Sequence, residues 1–312
     1  MKIKFLILIC FISSMSFAQT AKELADKAYE QYKQKNFKKA LSLYNDALNK
    51  SPLDAELYDE RGSTYFELRN IDEAIHDYNQ AILIKPDFAI AYHHRAIVYY
   101  SVQLPEKAIS DNNQALIYVG TNDSLKYSII NNRGNAYAMK RDFESAYKDY
   151  LSVLEFNPKD LSALTNIGAV LDDLGKEKEA ITYLEKAIEL YPNYIGGYGN
   201  LAYKYMQMGN YEKSLELNNK VLQMEPNEPL AYNNRGFVKY KMGNYKDALD
   251  DVNKSIKLYP ENSYAYKNRA LIYIALNKSN LACEDLNKAL TLGFTAMYGD
   301  EVKKLIESNC NK

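Results

Sequence analysis

The chain has 312 residues, with 39 basic against 40 acidic side chains, three histidines, 29 tyrosines and no tryptophan. Balanced charge without a basic block argues against a nucleic-acid or acidic-membrane partner. Length alone suggests two domains unless the chain repeats. Of the histidines, His93 and His94 are adjacent and cannot share one helix face, so no metal site is expected.

The chain opens with Lys2 and Lys4, an apolar run from Phe5 to Phe17, and Ser16-Phe17-Ala18 with small residues at its first and third places. This reads as a secretory signal peptide over 1–18, too short to remain as a membrane span; an uncleaved anchor is the alternative. An exported product, periplasmic or secreted and not inserted in a membrane after cleavage, is the expectation. Cys10 follows Ile9, where a lipoprotein signal would place a small residue.

From Ala21 onward one unit recurs every 34 residues, and Ala231–Pro260 shows it clearly. Tyr232, Gly236 and Tyr240 lie at helical spacing, Met242-Gly243-Asn244-Tyr245 breaks the run, and Ala248, Val252, Ser255 and Ile256 form a second stripe ended by Pro260. Gly62, Gly134, Gly168 and Gly236, or Ala28, Ala96, Ala202 and Ala270, give each first helix a close-packing point. Ala40, Ala74, Ala108, Ala146, Ala180, Ser214, Ala248 and Ala282 do so for each second helix, and prolines at 52, 86, 158, 192, 226 and 260 close six units. A hairpin this thin buries its apolar stripes only against copies of itself.

Repeats one and two, ending at Pro52 and Pro86, are regular. Repeat three departs most: Pro105 starts its second helix, a position that tolerates a missing N–H, and Asn112 and Gly120 replace the usual aromatic and proline. Four extra residues within Gly120–Lys126 predict a longer, more mobile joint near 119–127. Repeats four to eight follow without insertion to Leu292, and 293–312 reads as a polar-faced capping helix, the helical part being Ala296–Asn309.

This pattern resembles the tetratricopeptide repeat, residue by residue over Ala21–Leu292. The resemblance implies an all-α, right-handed superhelical solenoid of eight helix-turn-helix repeats (19–292) with a C-terminal capping helix. It also implies that the first helices line an inner surface. The expected role is a non-enzymatic scaffold whose inner groove takes an extended peptide or exposed segment of another protein. The alternative is a structural subunit of a cell-envelope assembly docking through its convex face or repeat ends.

Comparing the copies exposes pairs. Arg61, Arg95, Arg133, Arg235 and Arg269 precede the small residue in five repeats, and the same five carry Asp77, Asp111, Asp149, Asp251 and Asp285 sixteen residues later. Repeats five and six carry Ile167 and Leu201 with Tyr183 and Leu217 instead, so charge comes on both helices or neither. A partly buried ion pair explains this, since an unpartnered charge there would cost about 3–5 kcal/mol.

A second row, Asn132, Asn166, Asn200, Asn234 and Asn268, falls one residue earlier. Each amide offers a donor and an acceptor, which suits a bound peptide backbone or, alternatively, the stacking of neighbouring repeats. The row is similar to the asparagine ladder of O-linked N-acetylglucosamine transferases, without their catalytic domain. Around it Tyr203, Met206, Phe237, Tyr240, Tyr264, Leu271 and Ile274 occupy inward positions. The N-terminal half has Glu56, Asp59, Ser63 and Glu67 there. No three consecutive repeats supply the lysine, asparagine and arginine set of the dicarboxylate clamp.

No glycine-rich phosphate loop or nucleophile–histidine pair stands out, so neither enzyme chemistry nor a cofactor is expected. Cys283 and Cys310 are the thiols left after the leader. They meet if the cap folds back antiparallel, and joining them would stabilise by about 3.5 kcal/mol in the chain-entropy model; two free buried thiols are the alternative.

Overall fold

A computed structural model of the chain describes residues 21–310, all of them helix, turn or short connection. The signal-peptide reading of 1–18 lies outside the described residues. Eight helical hairpins follow one another: α1 (21–33) with α2 (Phe37–Lys50), α3 (Ala55–Glu67) with α4 (Ile71–Ile84), α5 (Ala89–Ser101) with α6 (Pro105–Tyr118), and α7 (Asp123–Met139) with α8 (Phe143–Phe156). Then come α9 (Leu161–Asp173) with α10 (Glu177–Leu190), α11 (Ile195–Gln207) with α12 (Tyr211–Met224), α13 (Pro229–Lys241) with α14 (Tyr245–Leu258), and α15 (Ser263–Ala275) with α16 (Ser279–Thr291). Two short helices, α17 (Phe294–Tyr298) and α18 (Glu301–Asn309), close the described chain. Contacts divide it between Ala163 and Leu164, inside α9, into two compact units.

Within each unit the two helices of a hairpin pack together, and each second helix packs on the first helix of the next hairpin. The small residues permit this approach. A Cβ on Gly236 would stand 2.6 Å from Val252 Cγ2 and 3.1 Å from the Ala248 carbonyl oxygen. In the first unit the large side chain facing this point is tyrosine: Tyr44, Tyr78 and Tyr150 are almost wholly buried. Their hydroxyls reach back toward the first helices, Tyr78 Oη lying 3.1 Å from Ser63 Oγ and Tyr150 Oη donating to Asn135 Oδ1 at 2.8 Å. Where Asn112 replaces the aromatic, a buried polar chain forms instead: His93 Nδ1 lies 3.1 Å from Asn112 Oδ1, and Asn112 Nδ2 donates to Asn132 Oδ1 at 2.7 Å.

The hairpin turns share one left-handed residue. In the first unit it is Lys35, Arg69, Gln103 and Arg141, with φ of 58–65° across the non-glycine cases of the chain; in the second it is Gly175, Gly209, Gly243 and Asn277.

Two sequence expectations are corrected. The four inserted residues do not lengthen a loop. Asn122 Oδ1 accepts from the Leu125 amide and α7 begins at Asp123, so a 17-residue helix stands where α3 and α5 have 13. Four residues are about one helical turn, which keeps every later side chain on its original face. The cap, expected as one helix, is two, broken at Gly299, whose φ of 82° and ψ of −164° are open to glycine alone. Phe294 and Val302 from these helices are buried against Ala270, Ala282, Leu286 and Ala289. Cys283 and Cys310 are joined, with Cα atoms 5.7 Å apart, tying the end of α18 to α16.

Candidate functional site

Leaving aside the cap helix α18, which packs on α16, the described helices two apart that pack closely are first helices: α3 with α5 and α5 with α7 in one unit, α11 with α13 and α13 with α15 in the other. The first helices therefore form the tighter, inner side of each unit, and residues at fixed register on them stand in rows.

Every paired arginine is a three-way tie. The Nε and Nη2 groups of Arg61, Arg95, Arg133, Arg235 and Arg269 donate to both oxygens of Asp77, Asp111, Asp149, Asp251 and Asp285 at 2.6–2.8 Å. The aspartates are buried and the arginines half-buried. The remaining Nη1 donates to an asparagine on the second helix of the preceding repeat: Asn45, Asn79, Asn113, Asn219 and Asn253 respectively. This third partner was not anticipated, and its signal is in the sequence: repeats four and five, which precede the arginine-free repeats, have Leu151 and Glu185 at that place. Tyrosines one helical turn away lie beside the guanidiniums, as Tyr58 at 5.4 Å and Tyr65 at 5.8 Å from Arg61 Cζ, adding cation–π attraction.

The asparagine row does not act as one ladder. Asn132 accepts from Asn112, and Asn268 is buried and donates from Nδ2 to Asn233 Oδ1 at 3.0 Å, so both serve packing between repeats. Asn166 is half-buried and engaged within the chain. Asn200, exposed on α11, and Asn234, half-buried on α13, have no side-chain hydrogen-bond partner among the described residues.

The expected aromatic groove is likewise split. Tyr240 packs on Ala248, Val252, Ala265 and Ile272, Ile274 joins the cap cluster, and Tyr264 lies against Phe294 and Tyr298 at 5.8 and 5.2 Å. These three belong to the packing of repeats seven, eight and the cap, because neighbouring helices cover their side chains. Tyr203 remains 40% exposed, with Met206, Phe237 and Leu271 half-buried.

The first unit presents a polar inner side. Asp59 is buried and both its oxygens lie about 3 Å from His94 Nδ1 on the next first helix. Burial, with the Asp59 charge adding, raises the Glu60 carboxyl to about 7. Burial lowers His93 to about 4 against its hydrogen bond to Asn112. Two buried lysines in the second unit were missed: Lys204, paired with Asp172, and Lys267, beside Glu301. Each sits in an apolar stripe where sequence alone gives no partner. Among the described residues no three His, Cys, Asp or Glu side chains are grouped to hold a metal, and no helix is long and apolar enough to cross a membrane.

Comparison with known proteins places these hairpins. Sequence models described as TPR repeat match residues 62–103 and 202–243, and models described as tetratricopeptide repeat match 162–194, 183–216, 229–262 and 263–292. A 56-residue stretch is 45% identical to the Hsp70-Hsp90 organizing protein of Triticum aestivum, covering 18% of this chain and 10% of that protein. The Protein STIP1 homolog of Dictyostelium discoideum is 33% identical over 78 residues, 25% of this chain and 14% of its own. The chain thus spans only about a tenth of the length of the curated relatives it matches. Among solved structures, the type IV pilus biogenesis factor PilW superposes with a TM-score of 0.63 at 19% identity, over 68% of this chain and 97% of that one. The C-terminal part of a TPR repeat-containing protein from Cytophaga hutchinsonii gives 0.59 at 21%, over 77% and 97%. At these identities the likeness is one of fold. With the repeat models matching along the chain and paired helices at the matched positions, this protein belongs to the tetratricopeptide-repeat family, a class of protein–protein interaction scaffolds.

Proposed function

We propose that the inner side of the second unit, across α11 and α13, binds an extended segment of a partner protein. The observation that carries this reading is a pair of amides, Asn200 and Asn234, at equivalent places on adjacent first helices. Among the described residues neither has a side-chain hydrogen-bond partner, and Tyr203 and Met206 share α11 with Asn200 as Phe237 shares α13 with Asn234. Packed helices lie about 8–10 Å apart and an extended chain advances about 3.3 Å per residue. Consecutive amides therefore meet a bound backbone at about every third residue, each offering a donor and an acceptor to one peptide group. A photo-crosslinking amino acid placed at Tyr203 tests this: it captures a partner, and Asn200→Ala with Asn234→Ala abolishes the adduct. An undiminished adduct removes the reading.

A second reading, docking through the outer side, draws on Leu83 and Ile117, 73% and 67% exposed at matching places on α4 and α6. Adducts from those positions, insensitive to the asparagine changes, would favour it. We also infer export, supported by the composition of 1–18 and by a Cys283–Cys310 bond suited to an oxidising compartment. Intact mass of the protein from periplasm or medium, short by residues 1–18, is the expected result.

A further inference from the structure

In the second unit α10, α12 and α14 each pack on the first helix of the next hairpin, and α16 packs instead on α18. The first helices in that position are well anchored: α13 and α15 have 13 residues each, with four buried in α13 and six in α15. α18 has nine residues and buries Val302 alone, with Leu305 and Ile306 partly covered. Isolated helices shorter than about 12–15 residues are marginal in water, so α18 stays ordered only through what fastens it.

Its fastenings are unequal. Glu301 Oε1, at its start, lies 3.4 Å from Lys267 Nζ on α15, a long contact from a side chain 51% exposed, and ion pairs open to solvent hold little. Gly299 joins it to α17, and a glycine between two short helices absorbs the rotation of a hinge. At its far end Cys310 is bonded to Cys283 on α16, across a sequence separation of 27. α17 has no such bond and needs none, because Phe294 is wholly buried against the hairpin. We propose that α18 is a redox-released strap: reduction of Cys283–Cys310 lets it swing out about Gly299 while α17 and the hairpins stay packed. The co-reactant is a dithiol, whose thiolate attacks one of the two sulfurs and expels the other cysteine as a thiolate that takes up a proton. The second thiol of the reductant then resolves the mixed disulfide, so the chain gains two thiols and the dithiol is oxidised to a disulfide. Opening takes Glu301 from Lys267, which is 2% exposed in the closed state, and bares the α16 face that Val302 covers. Neither consequence depends on the asparagine reading of the inner side.

Hydrogen–deuterium exchange read by mass spectrometry tests this on the chain with its Cys283–Cys310 bond intact, before and after treatment with dithiothreitol. A cross-link closing a loop of this length shifts an opening equilibrium by roughly 100-fold in the chain-entropy model. Amides of 301–309 should therefore exchange at least tenfold faster after reduction, while those of α15 and α16 change less than twofold. Cys283→Ser with Cys310→Ser should show the same fast exchange in α18 without reductant, and reductant should not alter it further. Unchanged protection of α18 in the reduced chain or in the double variant overturns the proposal, as does a bond that dithiothreitol leaves intact under native conditions. So does a parallel loss of protection across α15 and α16, because the bond then holds the whole repeat rather than a strap on it.

Discussion

The two units solve the same packing problem with different materials. In the first, the interfaces into repeats two, three and four are each tied by an arginine bound to an aspartate of its own repeat and an asparagine of the one before. Its inner side is polar, and the left-handed residue in each of its four hairpin turns carries a side chain. In the second, the interfaces into repeats seven and eight keep that tie, but the one between repeats five and six is apolar: Ile181, Leu184, Leu201, Ala202 and Leu217 cluster, and Glu185 at the asparagine place accepts instead from Tyr205 Oη at 2.7 Å. Three of its four hairpin-turn residues are glycine, and Tyr203 and Phe237 are partly open on its first helices. The fold therefore requires a filled seam but not a charged one. A buried ion pair is weak evidence of extra stability; its value here is that a guanidinium bonded to two helices fixes their register, which an apolar contact does not.

The largest effect should come from breaking one tie. Arg95→Leu leaves buried Asp111 without a cation and costs about 3–5 kcal/mol, read by denaturant unfolding. Arg235→Leu costs less, because Lys239 Nζ remains 2.7 Å from Asp251 Oδ2. Transplanting the apolar pair of repeat six, Arg95→Leu with Asp111→Leu after Leu201 and Leu217, recovers most of the loss, since removing both partners strands no charge. Equal costs for the two arginines, or additive costs in the double change, would contradict the comparison.

The polar inner side of the first unit gives the next effect. Glu60 is raised in the folded state, so its contribution is full below about 4.5 and is lost as pH rises through about 7. His93 is lowered, so its contribution is present above 6.5 and is lost as pH falls through about 4. Between those limits the two slopes oppose and the wild type should show a shallow dependence. His93→Gln exposes the Glu60 slope and is more stable at pH 5 than at pH 8 relative to wild type; Glu60→Gln exposes the opposite one. Thermal unfolding across pH 4.5–8 distinguishes them, and parallel profiles for both variants would show that neither group titrates as its burial implies.

Much of this was legible because repetition makes a chain its own control. Period, small residues and the Arg–Asp correlation fixed the hairpins and the pairing within each. The asparagine half of the tie lay in the same comparison and was overlooked because it joins one repeat to the next. The asparagine row misled for a related reason: Asn132 and Asn268 look like Asn200 and Asn234 in register, and only the neighbours Asn112 and Asn233 divide them into packing and free amides. The insertion before repeat four was invisible as helix because its length, one turn, and the capping by Asn122 act together. Lys267 could not be told from a solvated lysine until the cap, broken at Gly299, was placed beside it.

The smallest expected effect concerns the turns. A side chain in the left-handed region costs about 1–2 kcal/mol through its Cβ, and Gln103 at φ 60° is in that state where the second unit has glycine. Gln103→Gly relieves the strain but frees the unfolded chain, a loss of about 0.4–1 kcal/mol. The net is a gain of about 0.5–1 kcal/mol. Gly209→Gln in the second unit, at φ 76°, should lose a similar amount. Reciprocal shifts of this size in denaturation midpoint mean that both units use the same turn and differ only in how much strain they carry; a gain in neither would place the tolerance for Gln103 in contacts of its own side chain.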